Sequence, residues 1–142
     1  MSWLLDTCVL SEYTRPAPSP TVIQWLDAQQ EAQLFVSQLS LAELERGVIK
    51  LQAKDASRAR RLGQWLSRLE QRFAERTLPL NRSVLRVWSQ CCAQADLAGQ
   101  RLATLDALLM ATAQCHGLTV VTRHVRDFAR YPLVLNPWDP AD

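Results

Sequence analysis

Short apolar segments alternate with helical segments along the chain, and this alternation leaves few folds open to it. Five segments have the length and composition of short buried strands: 3–5 (WLL), 34–37 (LFVS), 77–80 (TLPL), 118–122 (LTVVT) and 133–136 (LVLN). Pro79 makes the third of these the weakest candidate, since proline cannot donate to a strand ladder. Strands that alternate with helices favour a parallel sheet with helices on both faces. We therefore predict an α/β fold with a central, mostly parallel sheet of four to five short strands, in one domain spanning residues 1–142.

Helical periodicity fills the segments between these strands. The predicted helices cover 20–29, 41–53, 56–75, 82–97 and 104–116. Pro20 stands at a first-turn position after Ser19, and Ser40 and Asn81 each precede a helix. Gly117 follows the last helix, where a C′ glycine is common. These signals predict which residues lie at the ends of the strands.

The composition excludes several classes of protein. With 142 residues, 48% of them hydrophobic, the chain can bury a substantial core. No segment approaches the roughly 18 apolar residues of a membrane helix, and the amino terminus lacks the basic region of a signal peptide. We therefore expect a cytoplasmic protein without membrane segments. The two histidines and four cysteines contain no zinc-binding pattern such as a C-x-x-C pair.

The net charge of +2 is unevenly distributed. Between Arg46 and Arg76, nine basic residues stand against three acids, whereas acids outnumber basic residues in the rest of the chain. Such a basic segment is suited to binding a phosphate backbone. A solvated helix face would have the same composition, and the charge pattern alone leaves both interpretations open.

Two acids follow predicted strands directly or closely. Ligands of parallel sheets bind outside the carboxyl ends of the strands, so these acids are candidate site residues. Asp6 ends the first strand, and Asp127 follows the fourth. A structural role is open for each of them. Asp6 is suited to cap a helix beginning at Thr7, and Asp127 to form a surface ion pair with Arg123 or Arg126.

Two further acids stand near the beginnings of helices. Ser40 and Glu43 have the S-x-x-E spacing of a capping box, which is the favoured interpretation of Glu43 taken alone. Asp106 lies in a first helical turn, where the helix dipole favours an acid and Thr104 is a candidate cap. Its neighbours are almost all apolar, however. A carboxylate buried among them needs a compensating charge.

Taken together, the four acids come from four separate segments and would meet at one edge of one sheet. Like charges repel strongly at such distances, so the cluster requires cations. Oxygen ligands without a set of histidines or cysteines indicate Mg²⁺ or Mn²⁺. The matching chemistry is metal-assisted hydrolysis of a phosphodiester bond.

Four segments of the chain resemble the motifs of PIN-domain ribonucleases, and within that family those of VapC-type (FitB-like) toxins. "LLDTCVLSE" resembles the opening "LLDTNVLSE", "LSLAELERGV" the second acidic motif, "TLDALLMATA" the third and "VVTRHVRDF…VLNPW" the closing segment. The resemblance implies an acidic site of Asp6, Glu43, Asp106 and Asp127, with Asp6 and Asp106 as principal metal ligands. It also implies an endoribonuclease toxin of a type II toxin–antitoxin pair that acts on structured RNA such as tRNA. A homodimer and a cognate antitoxin partner are implied as well.

The chain departs from this family at two positions. Cys8 stands where the family usually has asparagine after "DT", and a thiol is a poor substitute for an amide donor. His124 stands where the family usually has asparagine or an acid after "TR". A weakened or retuned site is the consequence we consider, although all four acids remain.

Two other functions compete with this interpretation. An aspartyl-phosphate enzyme also places an acid after its first strand, but it needs a lysine near a strand end, and Lys50 and Lys54 lie inside a helical segment. A PIN-like module that binds RNA or an antitoxin without turnover would be consistent with Cys8 and His124. Metal-dependent cleavage of RNA separates this module from the nuclease.

Overall fold

The structure, a computed structural model, describes residues 1–139, and its five strands form one parallel sheet. The strands are β1 (Trp3–Leu5), β2 (Leu34–Ser37), β3 (Thr77–Leu78), β4 (Thr119–Val121) and β5 (Val134–Leu135). Their order is β3-β2-β1-β4-β5, so β1 lies at the centre. The backbone of Leu4 is in register with Phe35 on one side and with Val120 on the other. All four strand pairings are parallel, which confirms the predicted fold class.

Six α-helices connect and cover the strands. They are α1 (Thr7–Leu10), α2 (Pro20–Asp27), α3 (Gln38–Gln52), α4 (Ala56–Arg72), α5 (Arg82–Leu97) and α6 (Thr104–His116). Pro20 occupies the first turn of α2, Asn81 caps α5 and Gly117 ends α6 with φ 66°, all as predicted. The prediction for α3 was wrong at its start. This helix begins at Gln38, three residues earlier than expected, because Ser37 rather than Ser40 provides the cap.

Successive residues of the strands face opposite sides of the sheet and build two cores. Leu5, Val36 and Val121 pack on one side with apolar residues of α1, α2 and α4. Leu4 and Val120 pack on the other side with residues of α6 and of the segment that follows β4. Both faces of the sheet are therefore covered, and its edge at the carboxyl ends of the strands is left to form a site.

The predictions for β1 and β2 match the structure at both ends, and those for the other three strands were correct in position and slightly too long. β4 and β5 each lack the first and last residue predicted for them, and β3 stops at Leu78, before Pro79. Within residues 1–139, no helix is both long enough and apolar enough to cross a membrane.

Candidate functional site

Asp6 is held at the junction of β1 and β4 by hydrogen bonds on its backbone and on both carboxylate oxygens. Its backbone N–H donates to the carbonyl of Val121 at 3.0 Å. Oδ1 accepts the backbone N–H of Thr7 at 2.7 Å and thereby caps α1, so the predicted capping role is correct. Oδ2 accepts the Thr122 hydroxyl at 2.8 Å. A carboxylate oxygen has two acceptor positions, so Asp6 retains capacity to bind a further donor or a cation.

Glu43 does not form the predicted capping box. Because α3 begins at Gln38, Glu43 lies in the second turn of that helix, and Ser37 accepts the backbone N–H of Leu39 at 3.0 Å. The Oε1 atom of Glu43 instead accepts the hydroxyl of Thr7 at 3.2 Å. Thr7 thus donates its backbone N–H to Asp6 and its hydroxyl to Glu43, and it connects the two acids directly.

Asp106 lies in the first turn of α6 as predicted, but no side chain caps this helix. The N-cap is Ala103, so the proposed Thr104 cap was wrong. Asp106 is half-buried, and its neighbour Leu105 is exposed, so its surroundings are less apolar than the sequence suggested. Burial raises the pKa of Asp106, and the charges of Asp127 and Asp6 raise it further, whereas His124 acts in the opposite direction.

Asp127 lies in a short 3₁₀ segment, Val125–Phe128, which follows β4. Its side chain is exposed. In the part of the chain that the structure describes, it forms no ion pair, so the alternative pair with Arg123 or Arg126 is absent there. Its negative charge acts on Asp106 instead.

The four acids therefore form one electrostatically coupled group, which we term the carboxylate cluster (Asp6, Glu43, Asp106 and Asp127). Burial raises the pKa of Glu43 despite the hydrogen bond from Thr7, and the charges of Asp6 and Asp106 raise it further. Electrostatic coupling thus links the four acids that the sequence predicted to meet at the carboxyl edge of the sheet, while their joint role as one site stays a prediction. Repulsion within such a group favours the binding of a cation or a proton.

The donor atoms of this cluster suit a hard cation. Among residues 1–139, no three His, Cys, Asp or Glu side chains lie close enough together to hold an ion directly. Mg²⁺ is commonly bound by only one or two carboxylates and keeps several waters, so a site of this openness is compatible with it. The free acceptor capacity of Asp6 and the mutual repulsion of the acids are the features that fit a divalent ion.

Two threonines that the sequence interpretation did not identify complete the site. Thr7 bridges Asp6 and Glu43, and the fully buried Thr122 binds Asp6 through a contact between residues 116 positions apart. Each threonine adjoins a strand end, but nothing local distinguishes it from other threonines of the chain. Their contacts depend on the pairing of β1 with β4 and on the packing of α1 against α3.

Of the nine basic residues between Arg46 and Arg76, two are paired with an acid and seven are exposed without an ion pair in the part of the chain that the structure describes. Arg72 and Arg76 are engaged by Glu31 at distances of 2.6 and 3.2 Å. The other basic residues of the segment are exposed on α3, on α4 and on the turn between them: Arg46, Lys50, Lys54, Arg58, Arg60, Arg61 and Arg68. Only this second group is available to bind a polyanion.

Comparison with known proteins gives consistent results across sequence and structure. The family profile described as PIN domain matches residues 3–133. The VapC ribonuclease Y4jK of Sinorhizobium fredii is 36% identical over 143 residues, which cover 97% of this chain and 99% of the relative. The toxin FitB of Neisseria gonorrhoeae is 36% identical over 140 residues, which cover 95% of this chain and 97% of FitB.

Two solved structures of high similarity come from the same toxin system. The crystal structure of FitAcB from Neisseria gonorrhoeae superposes with a TM-score of 0.89 at 35% identity, and it covers 96% of this chain and 98% of its own. The structure of FitAB bound to the IR36 DNA fragment gives a TM-score of 0.90 at 32% identity, with 99% and 98% coverage. Both are similar to this chain over nearly its full length.

Proposed function

The chain belongs to the PIN-domain family, and from this we propose that it is a metal-dependent endoribonuclease, the toxin of a type II toxin–antitoxin pair. The carboxylate cluster is the observation that carries the proposal, because four coupled acids at one sheet edge are suited to holding divalent cations. Relatives that match this chain over nearly its full length are named as a ribonuclease and as a toxin, which supports both parts of the proposal.

Each acid has a distinct role in this proposal. Asp6 and Asp106 would hold Mg²⁺ or Mn²⁺, Glu43 would orient the ion or a water, and Asp127 would complete the pocket. When bound, the ion would supply a Lewis acid for hydrolysis of the phosphodiester bond. The hydrogen bonds from Thr7 and Thr122 keep Asp6 in one orientation.

The proposed substrate is structured RNA of the cytoplasm, such as tRNA, which the protein cleaves by hydrolysis. The exposed basic residues of α3 and α4 and those of the segment 123–130 provide positive charge for its phosphates. We further propose that the protein acts as a homodimer and that a cognate antitoxin inhibits it. FitB, which is 36% identical over 95% of this chain, is named a toxin, and this supports an antitoxin partner.

A groove on the face opposite α5 and α6 is suited to this antitoxin. It has a volume of about 660 Å³, and its walls include Leu10, Leu26 and Trp65, with Asp27 and Arg72 among the polar lining residues. An apolar floor with a charged rim is typical of protein interfaces. We expect Trp65→Glu to abolish capture of the co-expressed antitoxin, whereas Leu97→Glu, at an exposed position on α5, leaves it intact. Equal capture by both variants would exclude this groove.

The proposed activity is tested by incubating purified antitoxin-free protein with a panel of structured RNAs that includes tRNAs. Parallel reactions contain Mg²⁺, Mn²⁺ or a chelator, and each is repeated with Asp6→Asn. Asp96→Asn, at an exposed position on α5, is the matched control because it removes the same charge outside the cluster. We expect discrete cuts that require metal, persist in Asp96→Asn and disappear in Asp6→Asn.

Intact RNA in every reaction would contradict the nuclease and favour the second candidate, a PIN module that binds RNA or its antitoxin without turnover. The specific observation behind this candidate is the contact of Cys8 with Asp6, which joins the sulfur and Oδ2 at 3.8 Å. A thiol is a weaker donor than the asparagine amide usual in the family, so Asp6 receives less support. RNA binding that survives in the absence of cleavage would establish this candidate.

A further inference from the structure

A second depression adjoins the carboxylate cluster on the side of Cys8 and of the loop after β4. Its volume is about 350 Å³, near the lower end of the range for ligand pockets. The lining side chains that can bind an anion are Arg15, Arg123 and His124, and the ring of Trp138 forms part of the wall. We term this depression the cationic pocket.

The loop after β4 fixes the cationic pocket relative to Asp6. Thr122 donates its hydroxyl to Asp6 Oδ2 at 2.8 Å and accepts the backbone N–H of His124 at 3.0 Å. Cys8 lines the pocket, and its sulfur lies 3.8 Å from the same carboxylate oxygen. A group bound in the pocket would thus lie next to Asp6.

Arg123 provides the main positive charge of the cationic pocket. Its guanidinium carbon lies 5.2 Å from the centre of the Trp138 ring, a distance at which a cation–π interaction holds the side chain in place. Over the described residues 1–139, Arg123 forms no ion pair with an acid. A guanidinium placed in this way can donate two hydrogen bonds to a phosphate group.

The acid in the wall of the pocket is already engaged. Glu12 is buried, and its Oε1 accepts the backbone N–H of Ser19 at 2.7 Å. Its Oε2 lies 3.7 Å from Arg15, whose side chain is 59% exposed. Glu12 therefore neutralises part of the charge of Arg15 and orients that side chain, while Arg123 and His124 remain available.

We propose that the cationic pocket binds a phosphate group of the RNA strand next to the phosphodiester bond that is cleaved. Arg123 is the principal ligand in this proposal, and His124 and Arg15 supply further N–H donors. The inference rests on the proposed function, because it takes RNA as the substrate. Its physical reason is that the carboxylate cluster repels a polyanion, so an adjacent cationic group is needed to hold the strand in position.

The test measures binding of a short, fluorescently labelled single-stranded RNA by fluorescence anisotropy over a series of salt concentrations. The binding protein carries Asp106→Asn and the buffer contains a chelator, so the RNA stays intact. Adding Arg123→Gln should raise Kd about tenfold, the loss expected for one charge-assisted contact. It should also lower the slope of log Kd against log salt by about 0.7, the value for one phosphate contact of a single strand.

Three controls distinguish a lost contact from a general effect. Arg86→Gln, which removes the same charge from an exposed position on α5, should leave Kd unchanged. Arg123→Lys should recover part of the affinity and all of the salt slope, because it restores the charge without the planar fork. Trp138→Leu should weaken binding less than Arg123→Gln does, since it removes only the support beneath Arg123. Melting temperatures of all the variants verify that they are folded.

An unchanged Kd and salt slope in Arg123→Gln would overturn the inference. Cleavage of RNA by the wild-type protein, measured separately with metal, tests the proposed function independently of this result. If the wild type cleaves RNA while Arg123→Gln binds normally, only the pocket is rejected. If the wild type never cleaves RNA while Arg123→Gln loses affinity and slope, the pocket is supported as an RNA-binding site and only the nuclease is rejected.

Discussion

Two charged clusters of this molecule differ in whether their acids are paired with basic side chains. The carboxylate cluster brings four acids together, and repulsion contributes to the raised pKa values of Glu43 and Asp106. The second cluster, which we term the arginine clamp, joins Glu31 to Arg72 and Arg76. There the two arginines lower the pKa of Glu31, with the hydrogen bond from Arg72 as the largest cause. Within residues 1–139, no acid of the first cluster forms an ion pair with a basic side chain, whereas Glu31 in the second cluster pairs with two arginines.

The arginine clamp connects the end of α4 to the start of β2. Arg76 donates to the backbone carbonyls of Glu31, Leu34 and Arg72 at 2.6, 2.7 and 2.8 Å, and its guanidinium carbon lies 4.5 Å from the centre of the Phe73 ring. This geometry supports the fold and leaves little capacity for a ligand. Charges that compensate one another therefore indicate a structural role, whereas the uncompensated acids indicate a binding site for a cation.

The largest effect that this contrast predicts is at Asp106, where one substitution should lower activity and raise stability. Asp106→Asn should lower RNA cleavage at least about 100-fold, because it removes one of the two charges proposed to hold the divalent ion. The same change should raise the melting temperature of the metal-free protein by about 2 °C, because it relieves repulsion. Cleavage assays and calorimetry in a chelating buffer measure the two effects. Asp96→Asn should change neither, and a fall in metal-free stability of Asp106→Asn would contradict the contrast.

The second prediction concerns the arginine clamp, where removal of charge should only destabilise. Arg76→Ala should lower the free energy of unfolding by about 2 kcal/mol, because charge-assisted bonds to three backbone carbonyls are lost. Arg72→Ala should lower it much less, since the pair of Arg72 with Glu31 is exposed to solvent. Urea denaturation measures both values. Equal losses at the two positions would mean that the ion pairs, rather than the carbonyl contacts, stabilise this region.

These two clusters also show what the sequence could and could not predict. The strands, the parallel sheet and the positions of Asp6 and Asp127 after β1 and β4 followed from local patterns, because strand length and helix periodicity are local properties. The arginine clamp did not, since Arg76 and Glu31 are 45 residues apart and the basic segment gave no sign of which arginines would be engaged. Contacts of this kind depend on how α4 packs against the sheet.

Glu43 illustrates the same limit at the site itself. The spacing of Ser40 and Glu43 satisfied the local rule for a capping box, and Ser37 satisfied another rule equally well. The end of β2 decided between them, because α3 begins where that strand stops. Glu43 was then free to accept the hydroxyl of Thr7, a contact that local rules do not contain.

A third prediction concerns the hydrogen bonds that Asp6 receives inside the carboxylate cluster, which a substitution of Cys8 should strengthen. Cys8→Asn should raise kcat/KM for RNA cleavage about threefold, because an amide N–H replaces a weak thiol donor beside Asp6 Oδ2. Cys115→Ser, at an exposed position on α6, is the control and should have no effect. Unchanged or lower activity in Cys8→Asn would mean that the bonds from Thr7 and Thr122 already orient Asp6 fully.

The smallest predicted effect is the response of the two clusters to pH in the absence of metal. A carboxyl group with a raised pKa binds a proton more readily when folded, so its contribution to stability grows as the pH falls through that pKa. The stability deficit of the wild type relative to a Glu43→Gln, Asp106→Asn double variant should therefore shrink between about pH 7 and about pH 5. We expect a change of about 0.5 kcal/mol, because solvent screens part of the repulsion.

Glu31 should respond in the opposite direction over a lower range of pH. Its pKa is lowered in the folded protein, so the stability that its charge contributes is present above the ordinary glutamate pKa and is lost as the pH falls through the lowered value. Urea denaturation of the wild type, of the double variant and of Glu31→Gln at several pH values tests both signs. A wild-type deficit that widens on acidification would mean that the carboxylate cluster is already compensated within the protein, and the contrast between the two clusters would fail.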